Sequence, residues 1–154
     1  MPITRSIRGV NNVTVDLKGR MGIPSKYRQC LQELCDSKLT ITANIGNRSI
    51  LIYPRRYWEP VEEQLQKLSS TQTKGYMQRM MLSHATDCEP DNNGRILLPS
   101  ALRKDMKIKN KCVLLGLGNR FELWEQKIWD DYRERKMKEI DERGADSVLE
   151  DFHL

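Results

Sequence analysis

Hydrophobic and polar positions change their period several times along the chain. Residues 10–15 (Val-Asn-Asn-Val-Thr-Val) alternate weakly, which suits a half-buried strand. Asp16-Leu17-Lys18-Gly19 follows as a turn, because Asp can bond the backbone two residues on and Gly supplies a positive φ. Residues 20–23 resume as a second strand. Pro24 fits the first turn of a helix, with Ser25 beside it. That helix carries Tyr27, Leu31 and Leu34 on its apolar face. Apolar runs at 39–45 and 48–53 flank Gly46-Asn47 and predict two strands joined by a tight turn.

The same order then recurs. Asp16, Gly19, Arg20, Pro24, Ser25 and Arg28 match Asp91, Gly94, Arg95, Pro99, Ser100 and Arg103 at a constant offset of 75. Strand-like residues 95–98 lead into a shorter helix with Leu102 and Met106. Runs at 112–117 and 120–124 flank Gly118-Asn119, and each half reaches a tryptophan, Trp58 or Trp129, where a helical pattern begins. This is an internal duplication. One unit of about 45 residues is too small for a good core of its own. Two units packed around a pseudo-twofold axis predict an α+β fold whose strands close into one compact β-barrel.

The remaining segments read as helical. Val61, Leu65 and Leu68 stand at i, i+4, i+7, and Tyr76, Met77, Met80, Met81 and Ala85 form a second stripe. The methionines suit core or subunit contact. Residues 69–73 (Ser-Ser-Thr-Gln-Thr) read as a break with a helix cap. From Ile128 an amphipathic, solvated helix runs into a frayed tail. The chain therefore divides into a first repeat at 7–58, a helical connection at 59–85, a second repeat at 86–129 and a terminal helix and tail at 130–154.

Charge sharpens this division. The formal net charge of +5 is unevenly placed. Residues 1–60 hold ten Lys and Arg against four acids, whereas residues 61–154 hold sixteen against seventeen. A basic first repeat suggests contact with nucleic acid or another anionic surface. The alternative is a solvated basic face on a structural oligomer. No apolar run approaches the ~18 residues of a membrane span, and the N-terminus lacks an apolar signal core. A cytoplasmic protein with reduced thiols is expected. Cys30, Cys35, Cys88 and Cys112 form no CxxC pair and read as small apolar residues. Two histidines, no nucleophile–base pairing, no phosphate-cradling Gly loop and no metal-ligand cluster argue against an enzyme, a metal or a cofactor.

The duplicated turns carry the candidate chemistry. Asp16 and Asp91 suit turn stabilisation, with Gly19 and Gly94 completing the turns. Lys18 and Arg20 suit phosphates or base edges, Arg through its planar fork. The second turn, Asp91-Asn92-Asn93-Gly94, lacks the lysine and reads as a structural copy.

D-x-K-G-R-x-x-I-P, its D-x-x-G-R-x-x-x-P echo and Ser83-His84-Ala85-Thr86-Asp87-Cys88 together resemble the MraZ family of bacterial proteins over about residues 7–130. Arg8-Gly9 matches the family's opening strand. The resemblance implies tandem SpoVT/AbrB-like swapped-hairpin domains. It implies a transcriptional regulator, nucleoid-associated, that binds direct repeats in double-stranded promoter DNA as a ring of identical subunits. It further implies repression of the division and cell-wall gene cluster and of the regulator's own gene. Carried onto this sequence, the DNA contacts are Lys18, Arg20 and Arg8, with Arg5, Arg28 and Arg95 as further candidates. Arg28 could instead pair with the turn acids, and Arg95 could be buried against Asp16 or Asp91. His84 reads as structural. Tethered copies on spaced repeats would gain affinity by effective concentration. An antitoxin-like or architectural DNA binder of the same hairpin fold is the alternative, although the polar helix after residue 130 offers no obvious toxin ligand.

Overall fold

The computed structural model describes residues 6–152. The first repeat contains β1 (Arg8–Thr14), β2 (Arg20–Gly22), α1 (Ser25–Cys35), β3 (Leu39–Asn44) and β4 (Ser49–Pro54). Two helices follow, α2 (Arg55–Gln66) and α3 (Gln72–His84). The second repeat contains β5 (Thr86–Cys88), β6 (Arg95–Leu97), α4 (Ser100–Asp105), β7 (Lys111–Leu117) and β8 (Phe121–Glu125). Helices α5 (Gln126–Arg143) and α6 (Ala145–Val148) end the described chain.

Six strands form one antiparallel sheet in the order β1-β7-β8-β4-β3-β5, and β2 pairs with β6 as a separate ribbon. Each repeat thus lends its first strand to the other. β1 lies on β7, with Arg8 opposite Leu117 and Thr14 opposite Lys111. β5 lies on β3, with Leu39 opposite Cys88. The pseudo-twofold axis passes between β4 and β8, where Ser49 faces Trp124 and Ile52 faces Phe121. At the fixed offset of 72 between Arg48 and Arg120, each of these pairs is the symmetry mate of the other.

The expected closed barrel is not formed. β1 and β5 end opposite edges of the sheet, and beyond its own ladder the ribbon makes one isolated bridge among the described residues, Met21 to Val15 just after β1. The core closes by stacking. Met21, Ile23, Ile96 and Leu98, from the ribbon and the residues that follow it, cover the face carrying Ile41, Ile50, Ile52, Leu114, Phe121 and Leu123. Tyr27 of α1 meets Phe121 edge-on at 4.8 Å between ring centroids. Truncating Phe121 to alanine in such a packed site costs about 3–5 kcal/mol. On the opposite face, α2 and α3 cover Leu51 and Tyr53, while α5 covers Val113, Leu115 and Trp124. Strands buried on both faces read as continuous apolar runs, which is why 48–53 and 112–117 show no alternation.

Local chemistry sets the helix ends. Pro24 is the N-cap of α1, one position ahead of the first turn expected for it, and its φ of −53° suits the entry. α1 stops where Asp36 turns left-handed at φ 53°. There the Asp36 and Ser37 N–H groups reach the Gln32 and Leu31 carbonyls at 3.0 Å each. Thr71 stands at the N-cap of α3 but makes no side-chain cap bond. Its hydroxyl instead meets Ser69 Oγ at 2.8 Å, so the expected cap is absent. The methionine stripe divides: Met81 is buried with Met77 and Ala85 beside it, whereas Tyr76 is exposed. No disulfide joins the four cysteines, of which Cys112 is buried and the others half-buried. Burial pushes Cys88 and Cys112 up to about 11. Among the described residues, no helix is long and apolar enough to cross a membrane.

Candidate nucleic-acid interface

The β2–β6 ribbon pairs Arg20 with Leu97, Met21 with Ile96 and Gly22 with Arg95. Alternation buries Met21 and Ile96 in the core and sends Arg20, Gly22, Arg95 and Leu97 outward. The two duplicated turns flank this outward face.

Each turn is a four-residue unit closed by a backbone bond, Gly19 N–H to the Asp16 carbonyl and Gly94 N–H to the Asp91 carbonyl, both at 2.9 Å. Gly19 and Gly94 hold φ values of +86° and +74°, which favour glycine. Inside the first turn, Asp16 Oδ1 accepts from the Lys18 N–H at 3.0 Å and the Arg20 N–H at 2.8 Å. Asp16 Oδ2 accepts from Arg20 Nε at 2.8 Å. The second turn repeats the backbone part: Asp91 Oδ1 accepts from the Asn93 N–H at 2.8 Å and the Arg95 N–H at 3.0 Å. Its arginine differs. Arg95 Nε stands 3.5 Å from Asp91 Oδ2, and this buried nitrogen has no hydrogen-bond partner among the described residues.

These bonds set the electrostatics. The Arg20 backbone N–H, helped by the Arg20 guanidinium, holds the Asp16 carboxyl below its ordinary value. The Arg95 N–H does the same for Asp91. Each carboxylate is thus occupied in shaping its own turn. Ion pairs this exposed contribute little to stability. Their effect here is orientation: the Asp16 bond fixes Arg20 through Nε and leaves both Nη groups outside that pair. Lys18 is exposed and has no acid partner among the described residues.

The two repeats lock each other's turns. Ile23 N–H donates to the Gly94 carbonyl, and Leu98 N–H donates to the Gly19 carbonyl, both at 2.8 Å. Arg28 Nε donates to its own repeat's Ile23 carbonyl at 3.0 Å, and Arg103 Nε donates to Leu98 at 2.9 Å. The Arg28 guanidinium then lies 2.6–2.9 Å from where a Cβ on Gly94 would stand, and Arg103 lies at 2.6–2.8 Å over Gly19. The geometry gives Arg28 this covering position rather than a pairing with the turn acids. Arg103 is a residue that the charge argument passed over; its signal was the shared P-S-x-x-R ending of both motifs.

The remaining sequence candidates are dispersed. Arg5 lies outside the described residues. Arg8 is exposed at the start of β1, on the face that carries Val10. The turn leaves the other end of that strand, roughly 20 Å away at 3.3 Å per residue. Lys26 comes close to the Arg8 end instead, with Nζ 2.6 Å from the position of a Cβ on Gly9. His84 Nε2 meets Asp105 Oδ2 at 2.8 Å and so ties α3 to α4. Among the described residues, no group of three or more His, Cys, Asp or Glu is placed to hold a metal.

A family model described as "MraZ protein, putative antitoxin-like" matches residues 7–79 and again 81–148. The chain belongs to the MraZ family. Curated relatives support the same membership across nearly its full length. A protein of Thioalkalivibrio sulfidiphilus named transcriptional regulator MraZ is 42% identical over 149 residues, covering 96% of this chain and 99% of that protein. Proteins of the same name from Hydrogenovibrio crunogenus and Idiomarina loihiensis are 40% and 37% identical. They cover 82% and 96% of this chain, and 84% and 99% of their own lengths. The two matched MraZ segments fall on the two halves that exchange β1 and β5.

Proposed function

We propose that this MraZ-family chain is a sequence-specific DNA-binding transcriptional regulator that uses the Asp16–Arg20 turn against duplex DNA. The observation that carries the reading is the state of that turn. Asp16 is bonded into the backbone, Arg20 is oriented by it, and the Lys18 side chain stands at the apex with no acid partner among the described residues. A rigid turn presenting a lysine and a fork-shaped guanidinium can meet phosphate oxygens and guanine O6/N7 with little ordering cost. Arg95, on the same outward ribbon face, extends the basic surface, and Arg8 supplies a more distant phosphate contact.

In this reading the mechanism is promoter occlusion, without catalysis or cofactor, in the cytoplasm at the nucleoid. The regulated DNA is the promoter of the division and cell-wall gene cluster, including the regulator's own gene, and the effect is repression. A single turn reaches few bases. A ring of copies on direct repeats raises the local concentration of each next turn and so the overall affinity. Arg28 and Arg103 serve the site indirectly, by holding the turns.

Footprinting of the purified protein on the DNA upstream of its own gene tests the proposal. Protected, regularly spaced short repeats are expected. Uniform cleavage across that region at protein concentrations that saturate a basic nonspecific binder would overturn it.

A further inference from the structure

We infer that Leu17 is a specificity-determining residue that seats against the C5-methyl group of a thymine in the major groove. This rests on the reading of the Asp16–Arg20 turn as a DNA contact.

Leu17 is the most exposed of the large apolar side chains among the described residues, at 102% of its reference accessibility. It packs on nothing among the described residues. Its position is nevertheless fixed. It occupies the first apex position of the turn closed by the Gly19–Asp16 backbone bond, and Asp16 Oδ1 ties down the next residue at 3.0 Å. A single exposed leucine on an ordinary surface needs no explanation. This one stands directly beside Lys18, three residues before the turn's arginine leaves for the ribbon. The ribbon's outward face adds a second apolar group, Leu97, 59% exposed and paired with Arg20.

The duplicated turn provides the internal comparison. It keeps the Asp, Gly and Arg of the motif and the same backbone bonds, but carries Asn92 where the first turn carries Leu17. The fold therefore does not require an apolar apex. A fully hydrated leucine on a basic apex gains only from a partner that offers apolar surface next to phosphates. In duplex DNA that surface is the thymine methyl, the one apolar group on the major-groove edge of a base pair.

The test uses the full chain and a pool of duplexes with a randomised 20-base-pair core. Wild type, Leu17→Ala and Leu17→Asn are each carried through selection, and the winning wild-type duplex is then remade with single thymines replaced by deoxyuridine. At one thymine per bound turn, loss of the methyl is expected to weaken wild type about fourfold, the value of one methyl-sized burial. The same replacement leaves Leu17→Ala unchanged. The salt slope stays the same in all three proteins, since leucine contacts no phosphate. Wild-type binding that ignores every thymine methyl would overturn the role of Leu17 while leaving the DNA-binding reading intact. A mass change for Leu17→Ala by light scattering, with binding insensitive to the methyl, would make Leu17 a protein–protein contact instead. Failure of wild type to enrich any duplex would overturn both readings together.

Discussion

The guanidinium of Arg103 lies over Gly19, 2.6–2.8 Å from the place where a Cβ on that glycine would stand. The second repeat thereby sets the shape of the first repeat's turn. Gly19→Ala meets two costs: a left-handed φ of +86° and a clash with a guanidinium held by the Leu98 carbonyl. We expect a loss of about 1–3 kcal/mol in urea unfolding. Gly144→Ala is the control. Gly144 has nearly the same φ, +84°, and nothing within 4 Å of the added methyl. It should lose only the conformational part, about 1 kcal/mol. Equal losses at the two sites would remove the Arg103 contact from the account.

Arg20→Ala and Lys18→Ala separate two kinds of contact. Arg20 presents a fork and should read a base edge, so its loss should lower affinity for selected DNA at least tenfold and relax preference at one base pair. Lys18 is a point charge, so Lys18→Ala should weaken selected and random duplexes alike. It should also reduce the slope of log K against log salt by about one per engaged copy. Particle mass by light scattering should be unchanged in both. A wild-type affinity that does not fall with salt would exclude phosphate contacts altogether.

The turn acids give a pH prediction. The Asp16 and Asp91 carboxyls are held below the ordinary value of 3.8, chiefly by the Arg20 and Arg95 backbone N–H groups. A depressed folded value means that the stabilising contribution is complete above the unfolded value and fades as pH falls through the folded one. Turn geometry should therefore stay constant from pH 8 down to about 5 and loosen only below about 4. Carboxyl carbon shifts in an acid titration report this directly. Midpoints at or above 3.8 for both residues would contradict the hydrogen-bond pattern.

Much of this was legible in the residues, for identifiable reasons. The Asp-x-x-Gly-Arg spacing fixes its own turn, because the carboxylate bonds N–H groups two and four residues ahead. Duplication is visible because the same local solution is used twice. Partner choice was not legible. β1 alternates like any half-buried strand, and nothing in it names β7 as its neighbour. The barrel expectation failed on the same point: the three-residue strands β2 and β6 cover the sheet by stacking side chains, the equally short β5 only extends one edge of it, and edge closure is a long-range property. Arg28 was ambiguous because a basic residue after a helix start can face solvent or a neighbour. Only the second turn's proximity decides that it lies on Gly94.

The last prediction follows from the exchange of strands. A fragment of residues 1–85 keeps β3 and β4 as a local pair but loses β7, β6, β5 and β8, the partners of β1, β2, β3 and β4. As a monomer it would expose Ile50, Ile52, Met21 and Ile23 together with the four strand edges that lose a partner. Two copies can restore almost everything, because the β4–β8 register is symmetric. β4 can pair with its own copy, Ser49 opposite Ile52, and β2 with its own copy about Met21. We expect the fragment to fold only as a dimer, with a midpoint in urea that rises with protein concentration. Sedimentation equilibrium combined with circular dichroism checks this. A folded, cooperatively unfolding monomer would show that each repeat holds its own core and that the strand exchange is not required.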